Sequence, residues 1–127
     1  NLPTMSDLIL IVDASELILG MLEMICAQMG YRTALALTFE EVPALVAADP
    51  PKVILSDLNM PDVPGGDTVA ALRAIAPLKD IPIVLISGVD QGELEDLARQ
   101  RGAQGAISKD AGLPGMMAQL GPLLESL

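Results

Sequence analysis

The sequence predicts an α/β domain, a parallel sheet with helices packed on both of its faces. Three observations predict it. Short apolar runs rich in β-branched residues, with no polar alternation, recur along the chain and read as strands buried on both sides. Between them lie segments with helical spacing, opened by capping residues and closed by Gly or Pro. Strand and helix alternate five times, and right-handed crossovers leave few topologies other than a parallel sheet covered on both faces.

The elements follow in order. Leu8 to Val12 is the first strand. Leu17, Ile18, Met21, Leu22, Ile25, Cys26 and Met29 then recur at helical spacing, with Ser15 as N-cap and Gly30 as the stop. Arg32 to Leu37 is the second strand, and Thr38-Phe39-Glu40-Glu41 has the capping-box pattern for a helix that runs toward Ala48 and closes at Asp49-Pro50-Pro51. Val53 to Ser56 is a third strand, ended by Asp57 and by Asn59-Met60-Pro61, which cannot continue it. A loop follows to Gly66, then a helix over about Asp67 to Ala76 that buries Val69, Leu72 and Ile75. Pro82 to Ile86 is the fourth strand; Asp90-Gln91-Gly92-Glu93 repeats the capping-box logic for a helix ending near Gly102; Ala103 to Ser108 is a fifth strand at an edge. In the last segment Gly115, Gly121 and Pro122 interrupt helix-forming residues, and Pro122 costs about 3 kcal/mol in a straight helix. A kinked or broken final helix is expected.

Composition bounds the function. A chain of 127 residues is one domain with a real core, and with one Phe, one Tyr and no Trp that core is built from Leu, Ile, Val, Ala and Met. Residues 1–6 read as a disordered lead-in or cloning remnant and 7–127 as the domain. A net charge of −10 with seven scattered basic residues makes the isolated domain a poor nucleic-acid binder, since phosphate contacts need clustered Lys and Arg. No apolar run approaches the roughly 20 residues of a membrane span and no signal peptide is visible, so the expected location is cytoplasmic. With no His and the single Cys26 on an apolar helical face, zinc sites and nucleophile–His pairs drop out.

What remains is a set of strand ends. Asp13 follows the first strand, Asp57 the third, Ser87 the fourth and Lys109 the fifth. In open parallel sheets the carboxyl rim of the strands forms the crevice where ligands bind. Asp13 and Asp57, with the backbone carbonyl of Asn59 close by, suit Mg²⁺, a hard cation that takes one or two carboxylates and keeps several waters. A carboxylate beside a metal can also attack a phosphoryl donor to give an aspartyl-phosphate. Lys109 would then balance the phosphoryl charge and Ser87 would hydrogen-bond it, so that the protein mainly positions groups and neutralises charge. Each residue alone reads as an ordinary cap or loop residue; the four together, in a chain of this size and class, read as one site.

These residues resemble the receiver domain of bacterial two-component response regulators from Leu8 to the C-terminus. The resemblance rests on Ile11-Val12-Asp13, on Ser56-Asp57-Leu58-Asn59-Met60-Pro61 with Gly65 eight residues past the acid, on Ile86-Ser87-Gly88 and on Lys109. It implies a flavodoxin-like fold with strand order 2-1-3-4-5. It also implies a phosphorelay role without conventional enzyme activity: Asp57 accepts a phosphoryl group from a histidine kinase or phosphotransfer protein, with Mg²⁺, and the domain signals to a downstream protein or effector domain through the face of the fourth helix, fifth strand and fifth helix.

The departures are as specific as the matches. Such receivers carry two adjacent acids after the first strand, and here the pair is Asp13-Ala14, which weakens Mg²⁺ binding unless water or Glu16 compensates. Ala106 stands where the family has a switching aromatic, and Asp110 where it has a proline after the lysine. Val89 cannot hydrogen-bond an attacking water, which implies slow loss of a phosphoryl group once formed. Output would then come from backbone movement around Ser87 to Val89 and repacking of the broken last helix. The alternative is a pseudo-receiver, a phosphorylation-independent interaction or dimerisation module. A small hydrolase with a strand-end Asp would want a second acid where Asn59 stands. Met116, Met117, Leu120, Leu123 and Leu124 are either a homodimer patch on the last helix or, the plainer reading, a Met-rich core helix.

Overall fold

The structure is a computed structural model that describes residues 7–127; the reading of residues 1–6 as a lead-in lies outside the described residues. Five parallel strands, β1 (Leu8–Val12), β2 (Arg32–Ala36), β3 (Val53–Asp57), β4 (Ile83–Ser87) and β5 (Gly105–Ser108), form one sheet in the order β2-β1-β3-β4-β5. The helices are α1 (Glu16–Gln28), α2 (Val42–Ala48), α3 (Thr68–Arg73), α4 (Gln91–Arg101) and α5 (Gly112–Ser126). Fold class and strand order are those expected.

Each buried strand serves two cores, because successive side chains point to opposite faces. Ile9, Ile11, Val53, Leu55, Val84 and Ile86 pack against Leu19, Leu22, Ile25 and Cys26 of α1 and Met116, Leu120 and Leu124 of α5. The alternate residues Leu10, Val12, Ile54, Ile83 and Leu85 pack against Val42 and Val46 of α2, Val69 and Leu72 of α3, and Leu94 and Ala98 of α4. This double burial is why β1 and β4 are unbroken apolar runs rather than alternating ones.

The caps sit where the sequence places them. Ser15 Oγ accepts from Ile18 N at 3.3 Å, and Asp90 opens α4, which ends on left-handed Gly102; its Oδ2 accepts from Gly92 N at 3.2 Å, a two-residue cap rather than the expected capping box with Glu93. Glu41 Oε2 accepts from Thr38 N at 2.8 Å, but the box opens a 3-10 turn, Phe39–Glu41, before α2. A second acid closes the same end from far along the chain: Asp62 accepts from Phe39 N at 3.1 Å and Glu40 N at 3.0 Å.

Several expectations need correction. Leu17 is 73% exposed: the apolar residues of α1 span a wider arc than the sheet covers, and Leu17 falls on the outer side. The helix expected over 67–76 is shorter; α3 ends at Arg73, and Ala76–Leu78 form a separate 3-10 turn around Pro77. Residues 103 and 104 precede β5 rather than belong to it.

The last helix is unbroken. α5 runs as one helix with Pro122 inside it, because Met116, Leu120 and Leu124 at four-residue spacing are buried against the sheet and their burial outweighs one missing hydrogen bond. Three of the five residues considered for a dimer patch are thus core, Leu123 is half-buried, and Met117 remains 40% exposed. Gly105 permits this packing, since a Cβ there would come within 2.9 Å of Leu123 Cδ2. Pro122 is exposed, so Pro122→Ala restores an amide to the helix without disturbing the core; it should raise stability by about 2 kcal/mol after the gain in unfolded-chain freedom is deducted. Urea unfolding checks this: the midpoint should rise at unchanged slope.

Candidate functional site

The register of the sheet assembles the site before any side chain is considered. Val12 pairs with Ser56, so Asp13 and Asp57 are the next residues on adjacent strands, side by side at the carboxyl rim. Asp13 N still bonds Ala36 O at 3.1 Å, so the ladder holds Asp13 in place. Asp57 pairs with Ile86, and Ser87 with Ser108, which puts Ser87 one residue past Asp57's neighbour and Lys109 one step beyond β5.

The side chains converge. Lys109 Nζ lies 2.9 Å from Asp13 Oδ2 and 3.7 Å from Asp57 Oδ2, between the two carboxylates. The two acids are not equivalent. Asp13 is 1% exposed, and its Oδ1 accepts from Ser15 N at 2.9 Å; its Oδ2 has the lysine close by but no donor aligned to it. The Asp57 side chain is 19% exposed and open to an incoming group. Ser87 is buried, with Oγ accepting from Val89 N at 3.3 Å, and Val89 itself packs against the core. Asn59 is exposed, its carboxamide folded back against Leu58 and Gly66.

Burial pushes the Asp57 carboxyl above its ordinary value, and the Asp13 charge pushes it the same way; Lys109 and the amides of Leu58 and Asn59 pull it back. The folded chain therefore holds this proton more tightly than the unfolded chain. Stability from the group is fully present below the ordinary aspartate value, about 3.9, and is lost as pH rises through the raised folded value. Asp57→Asn should accordingly melt higher than the native protein at neutral pH, and the difference should close below the ordinary aspartate value, as thermal scans across that range would show.

Two adjacent carboxylates, one with a buried oxygen lacking an aligned donor, form a donor set that fits a hard divalent cation. The set is lean. Among the described residues no third Asp, Glu, His or Cys joins the pair; Ala14 contributes a methyl, and exposed Glu16 stays in the first turn of α1. Cys26, buried with its thiol pushed up to about 12, takes no part.

Comparison with known proteins agrees with the fold. The family model described as the response regulator receiver domain matches residues 9–120. This chain belongs to that family. The polar-differentiation response regulator DivK of Brucella ovis is 26% identical over 110 residues, which cover 87% of this chain and 89% of DivK. The transcriptional regulatory protein KdpE of Mycobacterium tuberculosis is 27% identical over 113 residues, 89% of this chain and 49% of KdpE. The chemotaxis response regulator CheY4 of Vibrio cholerae superposes with a TM-score of 0.76 at 26% identity, covering 92% of this chain and 98% of that one.

Within this receiver, two departures have structural consequences. Ala106 is buried beside a cleft of about 410 Å³ that opens between α4 and α5 over β5, lined by polar groups including Gln91, Glu95, Arg99 and Gln119. The turn carrying Lys109 is a 3-10 turn, Lys109–Ala111, whose N-cap is Ser108: its Oγ accepts from Asp110 N at 3.1 Å. One residue near the site escaped the sequence reading. Gln91, the first residue of α4, bonds the last residues of β5; a glutamine one position past a helix cap carries no sequence signal for such a role. No helix among the described residues is long and apolar enough to cross a membrane.

Proposed function

We propose that this receiver accepts a phosphoryl group on Asp57 from a histidine kinase or phosphotransfer protein and passes the signal to a partner protein or effector domain. The observation that carries the proposal is the asymmetry of the carboxylate pair: Asp13 is buried, with one oxygen bonded by Ser15 N and the other beside the Lys109 ammonium, whereas Asp57 is the open carboxylate, with the same ammonium 3.7 Å away. A nucleophile must be reachable; a charge holder need not be.

In this reading an Asp57 carboxylate oxygen attacks the phosphorus of a phosphohistidine. The P–N bond breaks, the imidazole leaves with the electron pair, and an acyl phosphate forms. Lys109 moves its charge from the carboxylates toward the phosphoryl oxygens, and Ser87 Oγ, released from Val89 N, donates to one of them. Asp13, Asp57 and the Asn59 backbone carbonyl would hold Mg²⁺, which when bound neutralises part of the charge on the transferred group. With Ala14 in place of a second acid that binding is weak. Val89, an apolar side chain packed inward, offers no hydrogen bond to an attacking water, so the acyl phosphate is long-lived. The chemistry is self-phosphorylation and slow dephosphorylation in a regulatory domain, not turnover of a substrate. In this reading the chain works in the cytoplasm among phosphorelay partners, without direct nucleic-acid contact.

Incubation with phosphoramidate and Mg²⁺ tests the proposal. The intact mass should rise by one phosphoryl group, and Asp57→Asn should show no gain. A folded native chain that takes up nothing would instead support the pseudo-receiver reading, for which the lean acid set and the Lys109–Asp13 pair are the structural arguments.

A further inference from the structure

β5 is the edge strand of the sheet, and the outward-facing backbone groups at its end are met by a side chain. Gln91 Oε1 accepts from Ser108 N at 2.8 Å, and Gln91 Nε2 donates to Ala106 O at 2.9 Å. A residue in a neighbouring parallel strand bonds the N–H and C=O on either side of its partner in the same pattern, so this one carboxamide stands in for a missing sixth strand opposite Ile107. Gln91 Nε2 also donates to Glu95 Oε2 at 2.9 Å, one turn along α4, which fixes the amide's orientation.

The consequence falls on Lys109. The residue before it, Ser108, has its amide held by Gln91; the residue after it, Asp110, has its amide held by Ser108 Oγ. Both flanks of the lysine backbone are thus tied by polar side chains, in a turn where no proline restricts the chain. Gln91 is also four residues past Ser87, at the start of α4 just after the β4–α4 connection, so the same amide links the end of that connection to the base of Lys109.

We infer that Gln91 is a positioning residue for phosphoryl acceptance: it fixes the end of β5 from which Lys109 reaches Asp13 and Asp57. The inference rests on the reading of Asp57 as acceptor. It requires Gln91 to act through Lys109, which separates it from a plain edge-sealing role. Removing the amide lets the lysine's base wander, and positional errors of this kind slow reactions by one or two orders of magnitude.

The test is a cycle of four proteins: native, Gln91→Ala, Lys109→Met and the double variant. Each is followed for phosphoryl uptake from acetyl phosphate by intact mass and for amide exchange at Ser108. Gln91→Ala should lose protection at Ser108 and take up phosphate about tenfold more slowly at saturating donor, with the donor concentration for half-maximal rate unchanged. In the Lys109→Met background the same change should slow nothing further. Equal slowing in both backgrounds would make Gln91 merely structural and overturn the inference. So would a Gln91→Ala protein with Ser108 exposed and its rate intact, or one whose Ser108 stays protected. Absence of uptake by the native protein would overturn the acceptor reading itself and the inference with it, whereas native uptake unchanged in Gln91→Ala overturns the inference alone.

Discussion

Lys109→Met should destabilise the fold by about 2–3 kcal/mol, although the residue lies at the rim of the sheet. Asp13 is 1% exposed; Ser15 N satisfies one of its oxygens, and among the described residues the lysine is the only cation beside the other. Taking one partner from a buried ion pair leaves an uncompensated charge, which costs about 3–5 kcal/mol when both groups are sealed from water; the 22% exposure of the lysine lowers that figure here. Asp57, 3.7 Å from the same ammonium, loses its counter-charge too. The mechanism predicts its own rescue: Asp13→Asn in the Lys109→Met background removes the orphaned charge and should recover most of the loss. Urea midpoints of the four proteins in this cycle check both statements, and an unchanged midpoint in Lys109→Met would show that solvent, not the ion pair, compensates Asp13.

The second large effect concerns the missing acid. A unit negative charge about 4 Å from a divalent cation is worth about 2 kcal/mol even at the dielectric constant of water, or about thirtyfold in affinity. Ala14 is exposed and follows Asp13 directly, so Ala14→Asp adds its carboxylate at the pair without displacing core atoms. Mg²⁺ affinity measured by calorimetry should rise at least tenfold. Without metal the variant should be less stable than the native chain, because a third acid joins two that already repel, and millimolar Mg²⁺ should more than restore its melting temperature. Equal Mg²⁺ affinities in the two proteins would place the metal away from Asp13.

What the sequence made legible was what local chemistry decides. The doubly buried strands announce themselves as unbroken apolar runs, and the caps at Ser15 and Asp90 need only neighbours a few residues away. The rim residues Asp13, Asp57, Ser87 and Lys109 were visible because each ends a strand, and parallel pairing brings strand ends together. Two kinds of feature were not legible. Pro122 reads as a break, yet burial of Met116, Leu120 and Leu124, which only the tertiary fold supplies, carries α5 through it. Leu17 shares the helical spacing of its buried neighbours, and only the width of the sheet contact decides that it stays outside. At the site, the lean of Lys109 toward Asp13 and the Gln91 contact 17 residues away depend on the register of β5 against β4, which no local pattern encodes.

The most direct test of the account is chemical trapping of the phosphorylated residue. After reaction with acetyl phosphate and Mg²⁺, borohydride reduces an acyl phosphate to the corresponding alcohol, and peptide mass spectrometry then locates the modified aspartate. Homoserine is expected at Asp57 and nowhere else, with Asp13 unmodified because its carboxylate is 1% exposed. Homoserine at Asp13, or at an exposed acid outside the rim, would contradict it.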